Sequence, residues 1–222
     1  MPLFFWVVVN ISGGQMTMKR IETDDAMILE WTLDNVTPRM IDWFWSNMEK
    51  CNLLWHPAQH EPLEWAVPPV HGDPIGSIHI APQTWNDGTR QNLYIQLLDI
   101  AALPDHLNAF INYEHIATVC CIGMGEEALK KPEPWGYRMH QWSKSDNGVI
   151  GSSTAVGALK KENHEDKMVW AAHCEEEIAN WGVFLPTLYP LYQVVKNTAY
   201  NPFTDLSIEK TGSKFRYKYI NA

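Results

Sequence analysis

Two Asx-Gly turns, Asn86-Asp87-Gly88 and Asp146-Asn147-Gly148, punctuate a series of short apolar runs that gives way near His173 to one long helical pattern. Asn-Gly and Asp-Gly pairs tolerate the positive-φ backbone of tight hairpin turns, so they join strands that run antiparallel. Residues 76–82, 93–100, 113–122, 136–142, 149–157 and 167–172 read as strands. An earlier run, 26–33, ends at Asp34-Asn35 and reads as another. From about His173 to Lys196, the residues Ile178, Trp181, Phe184, Leu185, Leu188 and Leu191 share one broad helical face. Pro186 is expected to kink or interrupt that helix. Many antiparallel strands and one long late helix make an α+β chain in which a curved sheet grips the last helix, leaving room for a ligand between them.

Thr37-Pro38 supplies an N-cap hydroxyl and a first-turn proline, and Met40, Ile41, Phe44, Trp45 and Met48 follow at helical spacing. Residues 51–75 are rich in proline without sustained periodicity and read as a structured loop or broken helix. The apolar run 3–9 lacks a basic flank and is too short to span a bilayer, so residues 1–15 are an extra strand or an N-terminal extension. The expectation is one domain over residues 1–222, with 45% hydrophobic and 19% charged residues to build its core.

A net charge of −9 without a Lys/Arg stripe argues against nucleic acid or an anionic membrane as a partner. Four cysteines, Cys51, Cys120, Cys121 and Cys174, form neither a disulfide framework nor a metal knuckle, which suits a reducing cytoplasm. Eleven tryptophans suit a core and an aromatic-lined pocket alike.

His173 and Glu177 stand four apart, so on a helix both side chains project from one face and can share a metal ion. The same spacing also suits an ordinary surface pair near a helix start. Catalytic zinc takes imidazole and carboxylate donors and keeps one position open, so a third donor must come from elsewhere. His56 and His60 repeat the four-residue spacing, and His79 faces opposite to Ile78 and Ile80, toward a polar cavity or toward solvent. Glu114-His115 opens a strand, where only one of the two can enter a given cavity. The chain has no G-x-S-x-G elbow, phosphate loop or H-E-x-x-H helix, which argues against serine hydrolases, nucleotide binders and thermolysin-like peptidases.

Taken together, residues 34–45 (DNVTPRMIDWFW), 54–60 (LWHPAQH) and 173–177 (HCEEE) resemble the 2,4-diacetylphloroglucinol and phloretin hydrolase family. The likeness runs from about residue 26 to 195. It implies a helix-grip fold of the Bet v 1-like or START-like kind and a zinc ion held by two histidines and two glutamates. By position, His60, His173 and Glu177 are the matching ligands, while the second glutamate falls near Gln83, which is no carboxylate. Gln83 can offer its carbonyl oxygen, His79 can substitute, or an extra water can complete the shell.

The family's substrate-holding tyrosine and asparagine fall at Asn52 and Leu63, so the substrate is expected to differ. The implied activity is zinc-dependent hydrolysis of the carbon–carbon bond in an acylated polyphenol or related aryl ketone. Glu176, His56 and His79 are candidate proton donors to the ring carbon, and Trp43, Trp45, Trp55 or Trp85 can line a cavity for a flat ring. Fe2+ or another divalent ion also suits two histidines and a carboxylate, which keeps other metal-enzyme reactions open. The rival expectation is a non-catalytic helix-grip module binding a hydrophobic or aromatic small molecule. Small molecules are the expected partners, with a homodimer as an assembly the chain allows.

Overall fold

The computed structural model describes residues 6–11, 14–158, 162–196 and 204–218. Strands β1 (Trp6–Ile11), β2 (Gly14–Glu22) and β3 (Ala26–Asp34) precede helix α1 (Pro38–Ser46) and the one-turn helix α2 (Asn52–Trp55). Next come β4 (Glu64–Val67), β5 (Ile78–Thr84), β6 (Arg90–Leu97) and β7 (His115–Met124). The short helix α3 (Glu127–Lys130) leads to β8 (Gly136–Lys144) and β9 (Gly148–Gly157). The 32-residue helix α4 (His164–Val195) and a hairpin of β10 (Ile208–Thr211) and β11 (Lys214–Tyr217) follow.

Nine strands form one antiparallel sheet in the order β1-β2-β3-β9-β8-β7-β6-β5-β4. Bulges between β4 and β5 and between β6 and β7 bend the half of the sheet that carries β5 and β6. The curved sheet wraps α4, which also packs against α1 and α2, and this is the helix-grip architecture. The strand run at residues 3–9 corresponds to β1 where it is described, at the sheet edge beside β2.

One correction concerns residues 167–172, read as a strand, which form the second turn of α4. The helix starts earlier because the Asn163 side chain accepts from the Asp166 amide at 2.9 Å, while Glu165 and Asp166 suit the dipole of the first turn. Lys167 then reaches back to the Thr23 carbonyl at 2.6 Å. Pro186 does not end α4, nor does Pro190. Each removes one backbone donor, but buried Phe184, Leu185 and Tyr192 keep that stretch packed. Leu191, placed on the apolar face, is 57% exposed. Thr37 has the extended backbone of an N-cap, yet its hydroxyl caps nothing and its carbonyl receives the Met40 amide instead. None of the described helices is long and apolar enough to cross a membrane.

A close approach within the grip is made at Gly151 on β9, which lies in register between Trp31 on β3 and Trp142 on β8, both fully buried. A Cβ at Gly151 would fall 2.2 Å from the Gln141 carbonyl oxygen and 2.5 Å from the Trp31 ring. Trp31 in turn meets Trp181 of α4 edge-on at 6.0 Å. Substituting Gly151→Ala therefore displaces the indole on which α4 rests, and overpacking of this kind costs about 1–3 kcal/mol. Thermal unfolding of Gly151→Ala should show a melting temperature lower by roughly 5 °C; an unchanged value would show that the sheet absorbs the methyl group freely.

Candidate metal centre and ligand cavity

His173, Glu177 and Trp181 follow one another at four-residue intervals on α4, so they form a single stripe facing the sheet. Trp181 is fully buried, stacking on Trp55 at 5.8 Å and meeting the Phe44 edge at 5.4 Å. That packing sets the rotation of α4 and places the two polar side chains one and two turns earlier. His60 arrives from the segment after α2, where its amide bonds the His56 carbonyl and its backbone bridges to Gln83 on β5.

The three side chains meet at one point. His60 Nε2 lies 3.3 Å from His173 Nε2 and 3.5 Å from Glu177 Oε1, and His173 Nε2 lies 3.2 Å from the same oxygen. The outer ring nitrogens are already engaged. His60 Nδ1 is 3.1 Å from the Asn52 carbonyl, which can only accept, so this nitrogen carries the proton. His173 Nδ1 is 2.7 Å from Gln59 Oε1, and Gln59 Nε2 donates to Asn86 Oδ1 at 2.9 Å, which fixes the amide the same way round.

With both Nδ1 atoms engaged, the two Nε2 atoms point toward each other and toward a carboxylate oxygen. Two ring nitrogens and a carboxylate oxygen so placed need a proton or a cation between them. The donor set of two imidazoles and a carboxylate, each imidazole oriented by a hydrogen bond behind it, is one that divalent zinc or iron accepts.

Burial holds the His60 pKa down to about 4, with Glu177 pulling the other way. Burial also lowers His79 to about 3 and His140 to about 4. Burial pushes Glu177 up, but the charge and hydrogen bond of His173, aided by His60 and His140, outweigh it and leave its pKa below the ordinary value. His56 is lowered as well, first by burial and then by His173.

The site opens into a cavity of about 970 Å³ between α4 and the sheet. His79, Ala81 and Gln83 alternate along β5 and all line it, so His79 faces the cavity and not solvent. Buried Gln83 stands beside His60 on the same wall. His56 is stacked on His173 at 4.4 Å, with Nε2 3.6 Å from Glu176 Oε2. Trp45, Trp55 and Trp85 line the cavity, whereas Trp43 packs into the core against Tyr189 and Tyr192. Asn52 lines the cavity too, but its amide donates to the Glu61 carbonyl at 2.8 Å and its own carbonyl orients His60. Leu63 packs against the core instead of lining the cavity.

Sequence reasoning overlooked His140, Arg138 and Gln59. The first two sit at alternate positions on β8 with Gly136, and all three face the cavity, so strand parity was the available signal. His140 Nδ1 is held by Ser153 Oγ at 3.0 Å. Gln59 gave no signal, since its role depends on meeting His173 across 114 residues of chain.

No family model and no curated protein matches the sequence. Among solved structures the chain is similar to protein Ms6760 from Mycobacterium smegmatis, at 12% identity and a TM-score of 0.50, covering 86% of this chain and 100% of that one. It is also similar to major latex-like protein 151 from Panax ginseng, at 9% identity and a TM-score of 0.48 over 71% of this chain and 97% of the other. For Ara h 8.0201 the values are 14% and 0.45, over 71% and 95%. The likeness is one of fold, the helix-grip class that the sheet and α4 define.

Long-range proton–nitrogen NMR of the metal-free protein should find Nδ1 protonated in both His60 and His173, with Nε2 of His60 bare. Gln59→Leu should release the His173 tautomer alone; a proton on Nε2 of His60 would contradict the assignment. Stability should also depend on acid. His60, His79 and His140 refuse protons that the unfolded chain takes up below about pH 6.5, so stability is lost as pH falls from there toward 4. The urea-unfolding free energy should drop by at least about 2 kcal/mol between pH 7 and pH 5, and a flat profile would refute their neutrality.

Proposed function

We propose that this chain holds a flat aromatic or hydrophobic small molecule in the cavity beneath α4, with His60, His173 and Glu177 at its polar end. The observation that carries this reading is the character of the cavity wall. Trp45, Trp55 and Trp85 present aromatic surface, while Trp45 Nε1, Trp55 Nε1, both nitrogens of His56 and His79 Nδ1 are buried without a hydrogen-bond partner. Apolar lining with a few convergent polar groups is the pattern of small-molecule sites, and buried polar atoms without partners are costly in a domain that binds nothing. The four cysteines are all free, which suits a reducing cytoplasm.

The convergence of His60, His173 and Glu177 favours a second reading, a metal-dependent hydrolase acting on the carbon–carbon bond between an acyl group and a phenolic ring. These residues fit zinc, or iron, by donor type and by the hydrogen bonds behind each imidazole. A divalent ion held there would supply Lewis acidity toward an oxygen of the substrate. The chain's own residues would do the rest. Asn52 and Gln59 hold the two rings in the productive tautomer, and the tryptophans exclude water around a flat ring. Glu176 and His56, 3.6 Å apart at the cavity wall, are the groups that would deliver a proton to a ring carbon. Gln83 stands where the resembling family has a carboxylate, and the Asn52 amide is already engaged, which favours a substrate other than diacetylphloroglucinol itself.

The test combines metal analysis with ligand binding. Purified protein and His173→Ala are assayed by elemental mass spectrometry, titrated with an acylated phloroglucinol by calorimetry, and checked for release of the free acid. Binding without acid release is the expected result for the first reading. Close to one zinc or iron per chain, lost in His173→Ala, together with acid release establishes the second. Failure to bind any of a panel of acylphenols and flat hydrophobic ligands, with no metal in either protein, would refute both.

A further inference from the structure

Away from the cavity, a second group of metal-ligating side chains lies where α1, the start of β7 and the segment before β10 come together. We propose that Asp42, His115 and Asp205 form a structural divalent-cation site that clamps the β10–β11 hairpin to the body of the fold.

Asp42 on α1 is fully buried, and its Oδ1 lies 2.9 Å from His115 Nδ1. Its other oxygen, Oδ2, is buried and has no hydrogen-bond partner. Asp205 brings Oδ1 to 3.4 Å from the same His115 nitrogen, and one donor atom from each residue lies within 4.8 Å of the other two. Arg39 approaches Asp205 through Oδ2, at 3.9 Å, while Oδ1 accepts from the Ser207 amide at 3.2 Å and faces His115. The His115 ring is stacked on Trp142 at 5.9 Å and 24°, so the direction of Nδ1 is fixed by packing.

Two carboxylates held this close repel each other, and a buried carboxylate oxygen without a partner carries its full desolvation cost. The His115 imidazole satisfies Asp42 Oδ1 and the Ser207 amide serves Asp205 Oδ1, which leaves Asp42 Oδ2 without a partner. A divalent cation would relieve both penalties at once. The mixture of one nitrogen and two carboxylate oxygens selects zinc, manganese or iron over calcium and magnesium, whose sites are built from oxygen alone.

The position suggests the purpose. The hairpin is docked by the Ile208 amide on the Glu114 carbonyl at 2.8 Å and by the Tyr217 hydroxyl on the Ile116 carbonyl at 3.2 Å. Asp205 leads directly into it, so a cation shared with Asp42 and His115 ties the hairpin to α1 and β7 together. None of the three residues lines the cavity, and the proposal stands whether or not the first site takes a metal.

The full-length His173→Ala variant, in which the first site is broken, is stripped with chelator and titrated with Zn2+ and Mn2+ by calorimetry, with Mg2+ as control. It should bind one equivalent of Zn2+ or Mn2+, and the melting temperature should rise on saturation. Because Asp42 is buried, Asp205→Asn, at a part-exposed position, carries the test, with folding checked by circular dichroism. Adding Asp205→Asn should weaken binding at least tenfold and abolish the melting shift. If His173→Ala binds no cation, or binds it equally well with Asp205→Asn, the cluster is a proton-mediated contact only and the proposal fails.

Discussion

The packing of Trp181 against Trp31, Phe44 and Trp55 is the constraint on which the rest of this structure depends. A helix lying in a curved sheet is free in principle to slide or roll, because apolar contact has no direction. Large rings remove that freedom, since an indole stacked on one side and met edge-on from two others fits in one rotation only. Fixing Trp181 fixes Glu177 and His173 on the same stripe. The polar site thus inherits its precision from an apolar cluster, and Gly151 is the backbone concession that lets Trp31 lie in place.

Much of this arrangement was legible in the sequence, for identifiable reasons. The strands from β5 to β9 carry alternating or continuous apolar runs bounded by Asn-Gly and Asp-Gly turns, and period and turn chemistry are local properties. His173 and Glu177 were legible because four-residue spacing on a helix is also local. Residues 167–172 were misread because a six-residue run of Lys, Met, Val, Trp and Ala carries too few repeats to separate helix from strand. The capping Asn163, which decides the matter, lies outside that window. The meeting of Asp42 with His115 and Asp205, and of Gln59 with His173, joins segments far apart in the chain, and no spacing rule reaches across such distances.

The electrostatics of the cavity follow from the same packing. Burying several histidines is tolerable only if they stay neutral, and burial lowers His56, His60, His79 and His140 alike. Neutral imidazoles bring lone pairs into a space walled by tryptophan. Burial pushes the Glu177 carboxyl up, and the charge and hydrogen bond of His173 outweigh it and hold its pKa below the ordinary value. The outcome is a polar end rich in acceptors set against an aromatic body, a combination that orients a ligand by its donors and holds it by its faces.

Gln83 is a neutral side chain on a wall where a carboxylate would change the charge of the site. It stands beside His60 on β5, lines the cavity and is buried. With two carboxylates, a divalent ion at such a site would be electrically neutralised by the protein; with Glu177 alone it would keep one positive charge. That charge would favour an anionic oxygen on the ligand, such as a phenolate or enolate, more strongly than a two-carboxylate site would. The amide still offers a carbonyl oxygen, so the position can remain polar while the charge changes. Exchanging one acid for its amide thus alters which ligand the cavity prefers without disturbing the fold around it, since Gln and Glu differ in charge far more than in shape.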